Sequence, residues 1–378
     1  MAKLGEVCAE KIETLDAKYS GKIDYIDISS VDNCEKKIVQ VQEISAKDAP
    51  SRAKQLIQDG DVIVSLVRPN LNAVAIVGGQ NKNLQVASTG YCVLRSNPKI
   101  YNRYLFNFCQ SDTFINKMVS QATGASYPAV SNSIVKSCEI PLPNLNQQKR
   151  VADILDTVTA LISLRKQQLF KLDELVKARF VEMFDAISPK KCASKIGECA
   201  EVLGGYAFKS DCFSNQGVPV VRIGNINDGR IDIDYNTCYA EEFWNKNPRF
   251  QARKYDILMA MSGATTGKVG IYKSDERLLI NQRVACIRAR DDESAIFLFA
   301  CLQLPWMYNL VQEASAGCAQ PNISGKQIET MPVPKPETSK VHQFAAFVER
   351  VDQQKQTIQQ SLDKLELMKK ALMQEYFG

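Results

Sequence analysis

Histidine is almost absent: the 378 residues contain one, His342. A Ser-His-Asp or Cys-His nucleophile site would have to be built around that residue. A zinc site with two or more histidine ligands is excluded. Cysteine is present at 12 positions from Cys8 to Cys318, yet no two form a Cys-x-x-Cys pair. The tightest group, Cys192, Cys199 and Cys212, is spaced too loosely for a zinc finger or ribbon. Free thiols in a reducing cytoplasm are expected instead. No run approaches the ~18 apolar residues of a membrane span. The opening MAKLGEVCAEKIETL lacks the apolar stretch of a signal peptide. A cytoplasmic protein with no membrane partner is therefore expected. Charge is nearly balanced, 47 Lys plus Arg against 42 Asp plus Glu, for a net +5. That permits a nucleic-acid partner without arguing strongly for one.

Enzyme signatures are missing too. SGATTGKVG (Ser262 to Gly270) looks like a phosphate loop, but a Walker loop needs four residues between its glycines and Ser or Thr after the Lys. Here three residues separate Gly263 from Gly267, and Val269 follows Lys268. There is no Gly-x-Gly-x-x-Gly and no Asn-Pro-Pro-Tyr-like tetrapeptide. Asp32, Glu35 and Lys37 in DNCEKK resemble a nuclease set only loosely and read as a solvated loop. His342 stands opposite Lys149 in the repeat described next and reads as exposed or capping. Neither a metal site nor a catalytic residue is expected.

What the chain does have is a duplication. TGASYPAVSNSIVKSCEIPLP (Thr123 to Pro143) matches AGCAQPNISGKQIETMPVPKP (Ala316 to Pro336) at an offset of 193. Gly124 meets Gly317, Pro128 meets Pro321, Ser131 meets Ser324, Pro141 meets Pro334 and Pro143 meets Pro336. The same offset continues to Phe184 and Phe377. Upstream, IDYIDISSVD resembles VPVVRIGNIN, GDVIVSL resembles YDILMAM, and STGYCVLR resembles NQRVACIR. In each copy a first part holds short apolar strands, IDYIDIS, DVIVSLV, AVAIVGG and YCVLR in one, VPVVRIG, DILMAM, KVGIYK and VACIRA in the other. Helical stretches, Tyr101 to Ser120 and Ala295 to Glu313, interleave with them, so each first part is a mixed α+β domain.

The second part of each copy is a long helix. Val151, Leu155, Val158, Ile162, Leu169, Leu172 and Val176 step by fours and threes, interrupted by Arg165. Phe344, Val348, Val351, Ile358, Leu362, Leu365 and Leu372 do the same around Lys355 and Lys369. This is a heptad seam, in a rod of roughly 58 Å at 1.5 Å per residue. The prolines before each helix fix where it starts. The expected layout is a globular domain over 1–143, a helix over 144–187, a second domain over 188–336 and a second helix over 337–378.

The strongly matched parts are the rods and the punctuation before them, and the divergent parts are the globular heads. That is how two heads reading different ligands on one frame would look. Polar head loops suit DNA: Arg matches guanine and Asn adenine in the major groove, while hydroxyls and Lys match phosphates. A scaffold whose heads bind proteins, with only sequence-blind DNA binding, is the competing reading. A fused methylase–nuclease would need a methyltransferase domain for which two head–rod units leave no room.

The sequence resembles the specificity subunits of type I restriction–modification systems. EIPLPNLNQQKRVADILDTV (Glu139 to Val158), running on through LISLRKQQLFKLDELVKARFVEMF, carries the likeness, with GYAFKS, VVRIGNI, SGATTGKVGIY and INQRVACIR. The second helix start, VPKPETSKVHQF, lacks the Gln-Gln-Lys-Arg of the first. The resemblance implies two pseudo-symmetric target-recognition domains, each reading half of a bipartite, asymmetric double-stranded DNA site. It implies that the two helices pack as an antiparallel coiled coil whose length sets the unread spacer. It implies docking of two methylation subunits, with room for two restriction subunits. S-adenosylmethionine and ATP with Mg would be bound by those partners, and no cofactor by this chain, which would be non-catalytic. By that analogy the nominated DNA contacts are Arg68, Asn70, Asn72, Ser126 and Tyr127 for one half-site. For the other they are Tyr206, Lys209, Arg222, Thr265, Thr266, Lys268 and Arg283.

Overall fold

The computed structural model describes residues 1–79, 82–227, 229–316, 321–335 and 337–378. Gly317, Cys318 and Pro336, used above in the repeat and the cysteine count, lie outside the described residues. The chain forms two compact units, Met1–Lys166 with Gln360–Gly378, and Gln167–Gln359.

The first unit opens with β1 (Ala2–Lys3) and the single turn α1 (Leu4–Val7). Strands β2 (Lys22–Ile26), β3 (Val31–Asp32), β4 (Lys37–Ile38), β5 (Gln42–Ser45) and β6 (Ala53–Leu56) follow. Then come β7 (Val62–Ser65), β8 (Val74–Ile76), β9 (Leu84–Ser88) and β10 (Tyr91–Leu94). Helices α2 (Asn102–Phe108), α3 (Asp112–Ser120) and α4 (Asn132–Lys136) lead to β11 (Glu139–Ile140) and α5 (Leu145–Phe184). β7 and β10 are buried on every residue, which explains why VIVS and YCVL show no polar alternation. The sheets run β10-β7-β8 and β5-β2-β9-β6, with β9 parallel to β2.

The second unit repeats the plan. It contains β12 (Ser194–Lys195), α6 (Ile196–Cys199), β13 (Ala200–Gly204) and β14 (Val218–Val221). The short hairpin β15 (Ile226–Asn227) and β16 (Arg230–Ile231) precedes β17 (Cys238–Tyr239) and α7 (Glu241–Lys246). Next are β18 (Ile257–Ala260), β19 (Val269–Ile271), β20 (Leu279–Ile280) and β21 (Val284–Ala289). Helices α8 (Asp292–Leu302), α9 (Pro305–Ser315) and α10 (Gly325–Glu329), strand β22 (Pro332–Val333) and α11 (Thr338–Phe377) complete it. Its sheets run β13-β21-β18-β19 and β17-β14-β20, with β20 parallel to β14.

The duplication recurs in hydrogen bonds. β1 pairs with β11 as β12 pairs with β22. Ser131 and Ser324, matched in the sequence, cap α4 and α10 by accepting from Ile134 N and Gln327 N, both at 3.3 Å. The two helical stretches read from sequence are each broken in two. In one, Ser111 Oγ accepts from Phe114 N and restarts the helix as α3; in the other, Pro305 starts α9 and leaves no continuous ladder from α8. Among the described residues no single helix is long and apolar enough to cross a membrane. The bent pair α8 and α9 has the composition for one but turns by 74°, and most of α8 is buried in the core of its unit.

The long helices, 40 residues each, belong to both units. In the first, Ala152 and Leu155 of α5 share a core with Phe377, packed by Leu372 and Met373, and Lys166 pairs with Glu366 at 3.2 Å. In the second, Phe180 and Phe344 rings lie 5.3 Å apart and Lys355 bonds Asp173. Numbers rise on one helix as they fall on the other, so the pair is antiparallel in each unit. Every seam residue named from the sequence is buried or half-buried. The basic interruption at Lys355 is answered by the opposing carboxylate, which satisfies a charge the heptad pattern leaves unexplained.

Candidate nucleic-acid interface

In the first unit the segment between β7 and β8 leaves the sheet as a tight turn. Arg68 and Asn72, at φ 49 and 46, hold left-handed backbone at its two ends. Arg68 N donates to Pro128 O at 2.7 Å, and Leu71 N and Asn72 N close the turn onto Arg68 O and Pro69 O. The guanidinium of Arg68 lies 4.8 Å over the ring of Tyr127, which is 67% exposed. Asn70 and Ser126 are exposed as well. Asn72 is buried; its carbonyl accepts from Lys36 Nζ at 2.6 Å. Four of the five nominated residues therefore face solvent, and Arg68 and Tyr127 meet as a stacked cation–aromatic pair. Lys36, not nominated, is half-buried, and burial lowers its ammonium below the usual lysine range.

In the second unit the matching turn runs from Ser262 to Gly267. Gly263 and Gly267 take the left-handed positions, at φ 79 and 86. Thr266 is buried and fastens the turn: its hydroxyl donates to Gly263 O at 2.7 Å, and its carbonyl accepts from Gln312 Nε2 at 2.7 Å. Thr265 and Lys268 are half-buried, while Arg283, Arg222, Tyr206 and Lys209 are exposed. The link from β20 to β21 gathers several of them. Asn281 N donates to Val221 O at 3.1 Å, Gln282 N to Tyr206 O at 2.8 Å, and Arg283 O accepts from Met261 N at 2.9 Å. Tyr206, Arg222, Arg283 and the 262–268 turn thus surround one three-residue hub. Tyr206 also packs against Phe208, Phe243 and Phe250 at 5.1, 4.7 and 5.2 Å between ring centroids. Arg222 donates to Thr237 Oγ1 at 3.2 Å and lies 3.7 Å from the Asp234 carboxylate. The Thr237 hydroxyl and the Asn236 amide hold that carboxyl below its ordinary range. Lys209 stands apart in its own short turn.

Two features were missed in the sequence although both partners stood in the matched segments. Asp61 and Arg95 form a bidentate pair, at 3.0 and 2.8 Å, with Arg95 Nη2 also donating to Leu56 O. Asp256 and Arg288 repeat it at 2.9 and 2.6 Å, with Gln251 O in place of Leu56 O. Each aspartate is at most 2% exposed. Because β7 runs antiparallel to β10 and β18 to β21, these pairs clamp the strand ends opposite the turns that carry Arg68 and Gly263. The signal available was an Asp before one matched strand and an Arg after another, in both copies.

The Gln-rich start of α5 has a structural use. Asn144 and Gln147 cap each other's backbone N–H. Gln148, fully buried, accepts from Tyr101 N at 2.8 Å and donates to Lys99 O and Pro143 O. Its repeat partner is the buried Val341, which accounts for the missing glutamine at the second helix start.

Among the described residues no three His, Cys, Asp or Glu are grouped to hold a metal. The family described as "Type I restriction modification DNA specificity domain" matches residues 1–174 and again 190–367. The type I restriction enzyme MjaVIII specificity subunit of Methanocaldococcus jannaschii is 26% identical over 276 residues, covering 67% of this chain and 64% of that protein. The EcoKI specificity subunit of Escherichia coli K12 is 23% identical over 331 residues, 80% of this chain and 69% of that one. The chain thus spans about two thirds of the length of these curated relatives. A solved chain from work on complex assembly and conformational transition of the type I R-M system is 27% identical. It has a TM-score of 0.60 and covers 100% of this chain and 96% of its own length. The type I S subunit from M. genitalium, 14% identical with a TM-score of 0.58, covers 100% of this chain and 95% of its own and shares the fold.

Proposed function

Because the chain belongs to the type I restriction–modification DNA specificity family, to which both of its halves match, we propose that it is the base-reading subunit of such a complex. Each head reads one half of a bipartite, asymmetric site in double-stranded DNA. Two methylation subunits dock on the paired helices and bring S-adenosylmethionine. Restriction subunits, where present, bring ATP and Mg. The chain itself catalyses nothing and works in the cytoplasm, where those partners and the DNA are.

One observation carries this reading: a strand-end turn appears in both units on matching anchors, Arg68 N to Pro128 O and Leu71 N to Arg68 O in one, Gly263 N to Pro321 O and Thr266 N to Gly263 O in the other, yet with different side chains. Arg68 stacked on Tyr127 occupies it in the first, and a glycine-flanked threonine turn beside Arg283 in the second. A shared frame with divergent tips is what two readers of different base sequences require. The aligned Arg–Asp clamps below the tips add rigidity, which base discrimination by bidentate contacts depends on. Mapping methylated adenines in genomic DNA with and without the chain tests it. A two-part motif that disappears with the chain is the expected result. An unchanged pattern, with active methylation subunits present, would overturn the proposal.

A further inference from the structure

The duplication supplies an internal control for backbone strain. Five described non-glycine residues have left-handed backbone: Lys36, Arg68, Asn72, Asp185 and Tyr255. At an offset of 193 or 195, set by the matching strands or, for Asp185, by the matching long helices, every one of them faces a glycine: Gly229, Gly263, Gly267, Gly378 and Gly60. Three of the five, Lys36, Arg68 and Asn72, lie together in the first head. Gly229, Gly263 and Gly267 themselves stand at φ 83, 79 and 86, so at each matching point the second head takes left-handed backbone with no side chain. A glycine meets the backbone requirement at each position more cheaply. What the first head retains against that strain is the side chains.

Those side chains are connected. Lys36 sits at the left-handed corner of the β3–β4 hairpin, whose turn Asp32 fixes by accepting from Cys34 N, Glu35 N and Lys36 N. Its ammonium crosses to the Asn72 carbonyl at 2.6 Å. Asn72 closes the turn that begins at Arg68, and the Arg68 guanidinium lies over the Tyr127 ring. We propose that Lys36 is a positioning residue for base recognition by the first head: by holding Asn72 it sets the turn that presents the Arg68 fork to a base pair. A guanidinium held in this way matches guanine O6 and N7, so the base pair it reads is G·C. This inference rests on the DNA-reading role proposed above.

The test uses the full chain assembled with its methylation subunits and short duplexes carrying the target site with single base-pair changes in either half. Competition binding is compared for wild type, Lys36→Gly, Lys36→Met and Lys36→Arg, with melting temperatures measured alongside. In Lys36→Gly and Lys36→Met, discrimination at one G·C pair of the first half-site should fall about tenfold. Discrimination in the second half-site should not change, and Lys36→Arg should restore most of the loss. Lys36→Met keeps the side-chain stem, so it reads the ammonium alone if the glycine variant folds poorly. Discrimination unchanged in both halves would overturn the positioning role while leaving the reading function intact. A uniform fall in affinity for all duplexes, tracking a lower melting temperature, would overturn it in favour of a structural staple. A wild-type complex indifferent to changes in both halves would instead sink the reading function itself.

Discussion

Replacing Phe377 by alanine should unfold the first unit ahead of the second, although the residue lies one position from the end of the sequence. Its ring is 2% exposed and sits 5.1 Å from Tyr104 and 5.6 Å from Phe108, both fully buried. Truncating a buried Phe costs about 3–5 kcal/mol, including the cavity left behind. The last turn of a helix can relax into part of that space, so about 3 kcal/mol is expected. For a unit of this size each kcal/mol moves the midpoint by about 2–4 °C, giving a drop of about 6–12 °C. Calorimetry reports the size of the shift, and hydrogen exchange reports where it falls: β7 and β10 amides should lose protection while β18 and β21 keep theirs. The repeat partner Phe184, packed on Phe297 at 4.8 Å and Phe180 at 5.0 Å, should do the converse when truncated. Leu367→Ala, at a site 70% exposed, is the control and should leave both transitions in place. A Phe377→Ala protein that melts with wild type, with unchanged protection in β7 and β10, would refute the placement of the chain's end in the first core.

Three further outcomes are expected. Gln148→Ala strands the Tyr101 amide and two carbonyls, and should destabilise the first unit by about 2–4 kcal/mol, read by urea denaturation; Gln148→Val should not rescue it, because a valine side chain can neither accept from Tyr101 N nor donate to Lys99 O and Pro143 O. Asp61→Ala leaves the half-buried Arg95 guanidinium without its carboxylate, held only by Leu56 O, and should cost about 2–4 kcal/mol, with Asp256→Ala doing the same to the second unit, each measured as a shift of one unfolding transition. Burial raises the thiols of Cys8 and Cys92 from 9.0 to about 12. The unfolded chain therefore loses those protons first, and stability should be intact below pH 9 and fall as pH rises towards 12, by about 1.4 kcal/mol per unit for each thiol. Denaturant midpoints across that range check the sign, and a flat or rising profile contradicts it.

The long helices were readable because a seam over 40 residues leaves few other ways to bury its apolar stripe. Strands such as DVIVSLV were readable from β-branched runs. β9 and β13 were not, because LQVAS and AEVLG mix small and polar residues whose burial depends on neighbours distant in sequence. The Asp–Arg clamps escaped for a similar reason: a charged residue at a strand end reads as solvated until its partner is known. DNCEKK reads from sequence as a solvated loop. Asp32 does serve as a turn former there, its carboxyl lowered by the Glu35 and Cys34 amides, but Lys36 leaves solvent for the Asn72 carbonyl. Of the nominated contacts, Asn72 and Thr266 are buried within the turns, and composition alone could not separate a turn's fastener from its tip.

Comparing the two copies makes that separation possible. Where steric closure dictates glycine, the duplicate says little: a Cβ on Gly60 would come within 2.7 Å of Asn102 Nδ2, while Tyr255 fits the matching position because it packs on its own core. Gly263 differs. A Cβ there would meet only Ile223 Cδ1, at 3.7 Å, so the space for a side chain exists and only the left-handed backbone at φ 79 opposes it. Arg68 accepts that same strain, about 1–2 kcal/mol for a non-glycine residue, at an exposed tip where no core packing repays it. Its stack on Tyr127 returns about 0.5–1 kcal/mol at an exposed site, which leaves the position near balance or slightly unfavourable for folding. An arginine kept at such a tip is therefore explained by what it contacts outside the chain more readily than by what it contributes within it.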